Sequence, residues 1–379
     1  MADGAARSAD RRSADGPSAD RRSADRRSAD RLLAVQVLRA LAALMVVVHH
    51  AQYDAGALAE RLGFAFTPSH LLPWLSGVDI FFVISGFVMV HASRPLFGTA
   101  GAWRMFLSRR IVRIVPLYWG VTTLYLAVAV VLPQVLNSGW PSLWQIVASY
   151  LFIPAMRADG TVQPIYSLGW TLNFEMFFYL VFAAAIALPR RHAVLAVTLG
   201  LALLVASRAF VVWPLPVAYW SDPIVLEFVL GMGVAMIRET GLRLSGAARV
   251  LLVVAGFALL HLDLSAADGT ALPQFIGYGG PAAMLVAAAV LGRPNERPPA
   301  VERALVAMGD ASYALYLLHP FAIRALREVF ARSPLGVWLG PWGYVAACVV
   351  AASLLALVVY QWLERPLHQY LRARLTSRR

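Results

Sequence analysis

Ionisable side chains lie inside long apolar segments of this 379-residue sequence, and these are the residues whose chemistry needs an explanation. An Arg or Asp at the centre of a membrane helix costs at least about 2.5 kcal/mol on insertion scales, so each one needs a reason to be there. The set comprises Arg39, His49, His50, Asp79, Glu175, Arg208, Glu227 and His319. Imidazole, carboxyl and guanidinium groups move protons, attack carbonyl carbons and hold anions, so the set favours acid–base or nucleophilic chemistry.

Arg39 and His50 share one face of the first apolar helix. Eleven residues separate them, which at 100° per residue is about 20° beyond three full turns. His49 is about 80° away from that face, so we expect His50 above Arg39, about 16 Å along the axis. The alternative is structural, with either histidine capping the helix at the membrane interface.

Counting residues from each predicted helix end places further groups near the level of His50. Asp79 and Glu175 both enter from the outer side and lie about 10–12 Å below it, while His50 is close to that interface. His319, late on an outward-running helix, reaches a similar level. We therefore expect one of the two carboxyls beside His50, with a purely structural hydrogen-bonded pair as the alternative.

Three arginines precede the third apolar segment. Arg109, Arg110 and Arg113 come before Pro116 and Tyr118, and their helical spacing forms a fork suited to phosphates. The general excess of basic residues in cytoplasmic loops explains the same cluster, so both interpretations stay open.

Composition excludes several classes of protein. Apolar residues make up 59% of the chain and charged residues 14%, and the mean hydropathy is +0.64, which is typical of a membrane protein. All 33 basic residues are Arg, which excludes Schiff-base and P-loop lysine chemistry. The single cysteine, Cys348, excludes an intramolecular disulfide and a Cys-clustered metal site, so no metal is expected.

The apolar pattern predicts an all-α integral membrane protein, a bundle of about ten transmembrane helices. A short apolar segment, 143–155, is expected to be re-entrant or interfacial. With the N-terminus inside, the cytoplasmic loops carry 13 Arg and the outer loops 5, so both termini are expected in the cytoplasm. The expected spans are 33–52, 72–92, 114–132, 167–188, 193–212, 222–237, 248–264, 272–292, 304–323 and 336–362.

Three regions follow from these patterns. Residues 1–31 repeat a Ser-Ala-Asp-Arg unit and are expected to be a disordered low-complexity tail. Residues 32–370 form the membrane domain, and 371–379 form a basic cytoplasmic tail. No feature indicates a nucleic-acid partner, and a homo-oligomer is left open.

Several sequence blocks together resemble the family-3 membrane acyltransferases, most closely the branch that O-acetylates bacterial exopolysaccharides. The resemblance covers about residues 32–370 and implies a ten-span inner-membrane enzyme that uses acyl-CoA, acetyl-CoA above all, to acylate a glycan hydroxyl. One departure is Leu168, where many relatives have His. The blocks are LRALAALMVVVHH, GVDIFFVISGFVM, FLSRRIVRIVPLYWG, SLGWTLNFEMFFYL, GDASYALYLLHP and a closing ERP at 364–366.

The expected reaction needs a general base and a carboxylate that orients this base. We assign His50 as general base, oriented by the carboxylate of Asp79 or Glu175; direct acylation of His50 is an equally open route.

The reaction also needs a binding site for the acyl-CoA donor. Arg110 and Arg113, with Tyr118 beside them, are expected to bind coenzyme phosphates, and Arg39 is expected to act as a second cation higher in the channel. Acyl-CoA is then a co-substrate, and no bound cofactor is expected. Two other function classes compete: a transporter or flippase of a glycan or lipid-linked precursor, and a structural subunit of a polysaccharide export assembly.

Overall fold

A computed structural model describes residues 16–132, 139–264, 272–292 and 300–376 of the chain. Within these ranges the fold is helical and has no β-strand, which confirms the all-α prediction. The helices are α1 (Gly16–Leu62), α2 (Gly77–Ala92), α3 (Ala102–Val131), α4 (Leu143–Tyr150), α5 (Trp170–Ala185), α6 (Arg190–Ser207), α7 (Leu215–Trp220), α8 (Leu226–Glu239), α9 (Gly246–His261), α10 (Gln274–Gly277), α11 (Gly279–Val290), α12 (Ala300–Asp310), α13 (Ser312–Arg332), α14 (Leu335–Val359) and α15 (Arg365–Thr376).

Six helical segments in the described part of the chain are long and apolar enough to cross a membrane, which makes this a membrane protein. The helix α4 has only two turns, too short to span, as the interfacial prediction for 143–155 requires. The six segments are Leu33–Leu62, Trp74–Ala92, Ala102–Val131, Ser167–Ala185, Arg190–Ser207 and Leu335–Leu375.

Glycines bring the helices α2 and α8 into backbone contact. A Cβ atom added at Gly86 would lie 2.0 Å from the carbonyl oxygen of Phe228, and one added at Gly231 would lie 1.9 Å from that of Val83. Small residues allow this close approach between membrane helices, where tight packing replaces the hydrophobic effect. The α2–α8 pair is therefore a rigid support for the residues that α2 carries.

The helix α1 lies at the centre of the bundle and packs against α2, α12, α13 and α14. At Gly309 the backbone of α12 comes so close that a Cβ atom there would lie 2.0 Å from the carbonyl oxygen of Gln36. Because of this contact the Arg39 turn of α1 faces the protein interior.

Ion pairs mark the two ends of the bundle. At one end Glu239 pairs with Arg94, at 2.5 Å, and with Arg190, and it ties α6 and α8 to the segment after α2. At the other end Asp54 accepts hydrogen bonds from Arg327, at 2.8 Å, and from the hydroxyl of Tyr344, at 2.6 Å. The pair with Asp54 gives a structural reason for an arginine on the side that the charge rule makes poor in Arg.

The structure describes only part of each of the two predicted tails, 1–31 and 371–379. The helix α1 begins at Gly16, inside the segment 1–31 that the sequence predicts to be disordered, and residues 1–15 lie outside the described residues. A π-helical turn, Tyr360–Glu364, separates α14 from α15, and α15 runs into the predicted basic tail. Residues 377–379 lie outside the described residues.

Candidate active site

A cavity of about 310 Å³ lies between α1, α2, α3, α5 and α13 and is here called the central cavity. It brings together Arg39, Arg110 and Arg113 with the carboxyl of Glu175. Its remaining wall is largely apolar and includes Phe81, Phe82 and Met89. Three guanidinium groups against one carboxylate leave a positive site inside the membrane domain, and such charges mark functional sites.

The polar side chains of the central cavity are held by named partners. The hydroxyl of Ser85 donates to Glu175 at 3.2 Å, and that of Tyr179 donates to the same carboxylate. Arg39 donates to the amide oxygen of Gln36 at 3.2 Å. Arg110 lies over the Phe106 ring, with its Cζ 5.7 Å from the ring centroid. These contacts fix the charges before any ligand arrives.

A second cavity of about 680 Å³, here called the basic cavity, shares Gln36, Arg39 and Arg113 with the central cavity. The side chains of Arg113 and Arg39 thus form a wall between the two spaces. The rest of its charged lining comes from α12, the π-helical turn and α15: Asp310, Glu364, Arg365, His368 and Arg372.

His50 packs against His319 of α13, with 5.0 Å between the ring centroids. The Nδ1 atom of His50 lies 2.9 Å from the carbonyl oxygen of Val46, and that of His319 lies 3.1 Å from that of Leu315. Since a carbonyl only accepts, each Nδ1 carries a proton, and each neutral ring keeps its lone pair on Nε2. The Nε2 of His319 is buried and has no hydrogen-bond partner in the described structure.

The structure places neither candidate carboxyl against His50. Glu175 lies at the central cavity with the arginines, and Asp79 accepts a hydrogen bond from the amide of Gln274 at 2.9 Å. Asp79 also interacts with Glu227 of α8, which is fully buried. The reason is the rotation of α2, whose first turn presents Asp79 to α8 and α10. A backbone carbonyl orients His50 instead.

Tyr118 does not line either cavity. Its ring is fully buried, packs on Phe152 at 4.9 Å between centroids with 33° between the ring planes, and lies so close to Gly169 that a Cβ atom there would be 2.5 Å from the phenol oxygen. The structure gives it a packing role between α3 and the segment before α5, which differs from the expected contact with the coenzyme.

The segment between α4 and α5 is fastened by Arg157. Its guanidinium donates to the carbonyl oxygens of Pro164 and Ile165, the latter at 2.8 Å, and to the hydroxyl of Ser167 at 3.0 Å. Burial lowers the pKa of the Arg157 guanidinium. The fastened segment continues into Leu168, whose carbonyl accepts from the Tyr316 hydroxyl at 3.1 Å. Arg157 therefore positions the segment that contacts Tyr316, a residue of the central cavity wall.

The basic residues of α15 and the π-helical turn before them were not predicted as functional residues from the sequence. The only sequence feature that pointed to the basic residues of α15 is the closing ERP block. The π-helical turn before α15 is visible only in the structure, and such turns are frequent at functional sites. Among the described residues, no group of three or more His, Cys, Asp or Glu side chains is arranged to hold a metal ion.

Comparison with known proteins identifies the family. A family model described as an acyltransferase domain matches residues 32–360. The exopolysaccharide production protein ExoZ of Rhizobium meliloti (strain 1021) is 36% identical over 331 residues, which cover 83% of this chain and 95% of that protein. The acyltransferase MdmB of Streptomyces mycarofaciens is 26% identical over 355 residues, 85% of this chain and 86% of that protein. No solved structure gives a significant match.

These matches confirm the resemblance seen in the sequence blocks, and they favour an enzyme over a transporter or a structural subunit. An acyl-transfer reaction also fits a pair of imidazoles near a positively charged cavity, since Tyr316 lines that cavity and its ring lies 6.3 Å from the His319 ring. The chain belongs to the membrane acyltransferase family defined by this domain and is a transferase of acyl groups.

Proposed function

We propose that the protein transfers an acyl group, acetyl in the first instance, from acyl-CoA to a hydroxyl of an exported or surface glycan. The observation that carries this proposal is that two adjacent cavities share Arg39 and Arg113, and that the central one is lined by Tyr316, whose ring lies 6.3 Å from the His319 ring of the histidine pair. The glycan acceptor is inferred from the relative that is named as an exopolysaccharide production protein.

The basic cavity is the proposed site of the coenzyme phosphates. Phosphate oxygens suit arginine forks, and Arg113, Arg365 and Arg372 line this space from two helices. The neutral, flexible arm that bears the thioester then enters the central cavity, past Arg39 and Arg113. Apart from its charged groups that cavity is lined mainly by apolar side chains, which suit the methylene groups of an acyl-pantetheine arm.

His50 is the proposed reacting group. As general base, its Nε2 takes the proton of the sugar hydroxyl while the oxygen attacks the thioester carbonyl, the C–S bond breaks, and the coenzyme sulfur leaves with the proton that His50 returns. As nucleophile, the same Nε2 attacks the thioester carbonyl, the C–S bond breaks and the coenzyme leaves as its thiolate; the sugar oxygen then attacks the acyl-imidazole, the C–N bond breaks, and the hydroxyl proton passes to the thiolate. Both routes need the Nδ1-protonated ring that the Val46 carbonyl selects.

Other site residues take supporting roles in this proposal. His319 stabilises the positively charged or acylated ring of His50 through its own Nε2. Arg39 and Arg110 bind the coenzyme arm in the central cavity, where the carboxylate of Glu175 balances part of their positive charge. Asp79 supports the site from α2 through its contact with Gln274 rather than by touching the base.

Ten spans in the inner membrane, with both termini in the cytoplasm, complete the proposal. Four further described helices, α8, α9, α13 and the α10–α11 pair, join the six long apolar segments to make ten. The loops with most arginines then face the cytoplasm, where acyl-CoA is made, and the histidine pair lies towards the opposite side.

The test uses purified protein in nanodiscs, acetyl-CoA labelled in the acetyl group, and the surface glycan from a strain that lacks the gene. We expect label in the glycan, released by mild base as an ester is, and free coenzyme in equal amount. Coenzyme release without label in the glycan, or no reaction with any acyl-CoA, would contradict the proposal.

A further inference from the structure

A third cavity, of about 470 Å³, shares no residue with the other two and lies beside the start of α5; we call it the aromatic pocket. Its volume is within the range of small-molecule sites, about 300–1,000 Å³. The walls come from the α4–α5 segment, α5, the ends of α6 and α10, and the α7 region. Its polar members are Gln163, Arg208, Asp222 and Gln274.

The aromatic pocket lies at the end of the bundle opposite to Glu239. Arg190 begins α6 and pairs with Glu239, and Arg208 follows the last residue of α6, 18 residues later. At 1.5 Å per residue the two ends are about 27 Å apart, close to the thickness of a bilayer core. A ligand in this pocket is therefore on the other side of the membrane from the Arg94–Glu239–Arg190 ion pairs.

Three aromatic rings form a fixed apolar surface in the pocket. The rings of Phe174 and Tyr219 stack at 4.4 Å with 18° between their planes, and Trp170 meets Phe174 edge-on at 6.1 Å. The Tyr219 hydroxyl donates to the carbonyl oxygen of Trp170 at 3.2 Å. Rings braced in this way offer a rigid face at little entropic cost to a ligand.

The polar groups of the aromatic pocket are planar, and their net charge is close to zero. Arg208 and Asp222 lie 3.6 Å apart, with 44% of each side chain exposed, so the pair is loose and both groups keep hydrogen-bonding capacity. Two amides, Gln163 and Gln274, add donors and acceptors. Because Asp222 offsets Arg208, the pocket lacks the positive charge that a phosphate needs, in contrast to the basic cavity.

Only a thin wall divides this pocket from the central cavity. Trp170 lines the pocket, Phe82 lines the central cavity, and their rings meet edge-on at 6.4 Å between centroids. Gln274, which lines the pocket, also donates a hydrogen bond to Asp79 of α2, the helix that carries Phe82. A ligand in the pocket is thus next to the space proposed for the acyl donor.

We infer that the aromatic pocket binds one uncharged sugar unit of the acceptor glycan. A pyranose ring presents C–H groups that pack on aromatic faces and hydroxyl pairs that bond to guanidinium, carboxylate and amide groups. The pocket supplies both surfaces. This inference rests on the proposed function, since it assigns a place to the acceptor of that reaction.

The test measures glycan binding without any donor. Surface glycan from a strain lacking the gene is cut into oligosaccharides, and its binding to the full-length protein in nanodiscs is titrated. We expect Arg208→Gln and Asp222→Asn each to weaken binding about 10-fold, the effect of about 1.4 kcal/mol, as loss of a charged hydrogen bond implies. Acetyl-CoA binding should not change.

The matched control is Arg332→Gln, which removes an exposed arginine from an ion pair with Glu328, at 2.9 Å, outside the pocket. This variant should bind the oligosaccharides like the unchanged protein. Wild-type binding in both pocket variants, equal weakening in the control, or no oligosaccharide binding by the unchanged protein would overturn the inference. Acyl transfer that continues with unaltered acceptor KM in the pocket variants would overturn the subsite and leave the proposed function standing.

Discussion

Replacing Arg113 by Ala should weaken the use of acyl-CoA far more than the use of the glycan. Arg113 lines both the basic and the central cavity, so a donor that threads from one to the other passes its guanidinium. A hydrogen bond to a charged group contributes about 1.5–3 kcal/mol, and about 1.4 kcal/mol is a factor of ten. The KM for acetyl-CoA should therefore rise about 10- to 150-fold, with the acceptor KM within about 2-fold.

Arg109 provides the matched control for this measurement. It lies one turn earlier on α3, is exposed, and lines neither cavity, so Arg109→Ala removes the same charge from the same helix without touching the proposed route. Arg113→Lys should be intermediate, because an ammonium keeps the charge and loses the fork. Initial rates in nanodiscs, with each substrate varied in turn, give both KM values. Equal donor effects at Arg109 and Arg113 would refute the phosphate route.

Further expectations concern packing, burial and orientation. Gly231→Ala should abolish folding, seen as loss of the monodisperse peak in detergent, because its Cβ would lie 1.9 Å from a backbone oxygen of α2. Glu227→Gln should keep activity within about 3-fold, since the amide fills the same buried space and can still hydrogen-bond to Asp79, whereas Glu227→Ala should lower the melting temperature through a cavity. Impermeant thiol reagents should label a cysteine at Ser108 only from the cytoplasm and one at Trp140 only from outside; the reverse pattern would overturn the orientation.

Helix geometry could be used to relate the positions of residues that lie on the same helix. Arg39 and His50 are on the same continuous α1, and the first lines a cavity while the second packs on His319 inside the bundle. Counting depth along separate helices also put His319 near the level of His50, where the rings touch. Rise per residue is a property of the backbone alone, so such estimates transfer from sequence to structure.

The rotation of each helix about its own axis, relative to its neighbours, could not be predicted from the sequence. In α2 and α5 nearly every position is apolar, so periodicity does not say which way Asp79 or Glu175 points, and their partners come from distant segments such as Gln274. Tyr118 illustrates a second limit, because an aromatic residue next to basic ones packs as readily inside the bundle as it contacts a ligand.

The basic cavity shows a third limit. Its wall combines α3 with α15, which begins 234 residues after α3 ends, and the π-helical turn Tyr360–Glu364 lies between α14 and α15. Neither the long-range contact nor the turn has a clear sequence signature, so only the closing ERP block indicated this end of the chain.

The central claim is that Nε2 of His50 is the reacting atom, and paired histidine variants test it most directly. His49 adjoins His50, with ring centroids 5.1 Å apart, and like His50 it lines neither cavity, but His50 is the one whose ring packs on His319, at 5.0 Å. Acetyl transfer from acetyl-CoA to the glycan should fall at least about 100-fold in His50→Ala, the lower end for a lost acid–base group, at equal amounts of folded protein. His49→Ala should retain most of the activity. An active His50→Ala, or equal loss in both variants, would contradict the account.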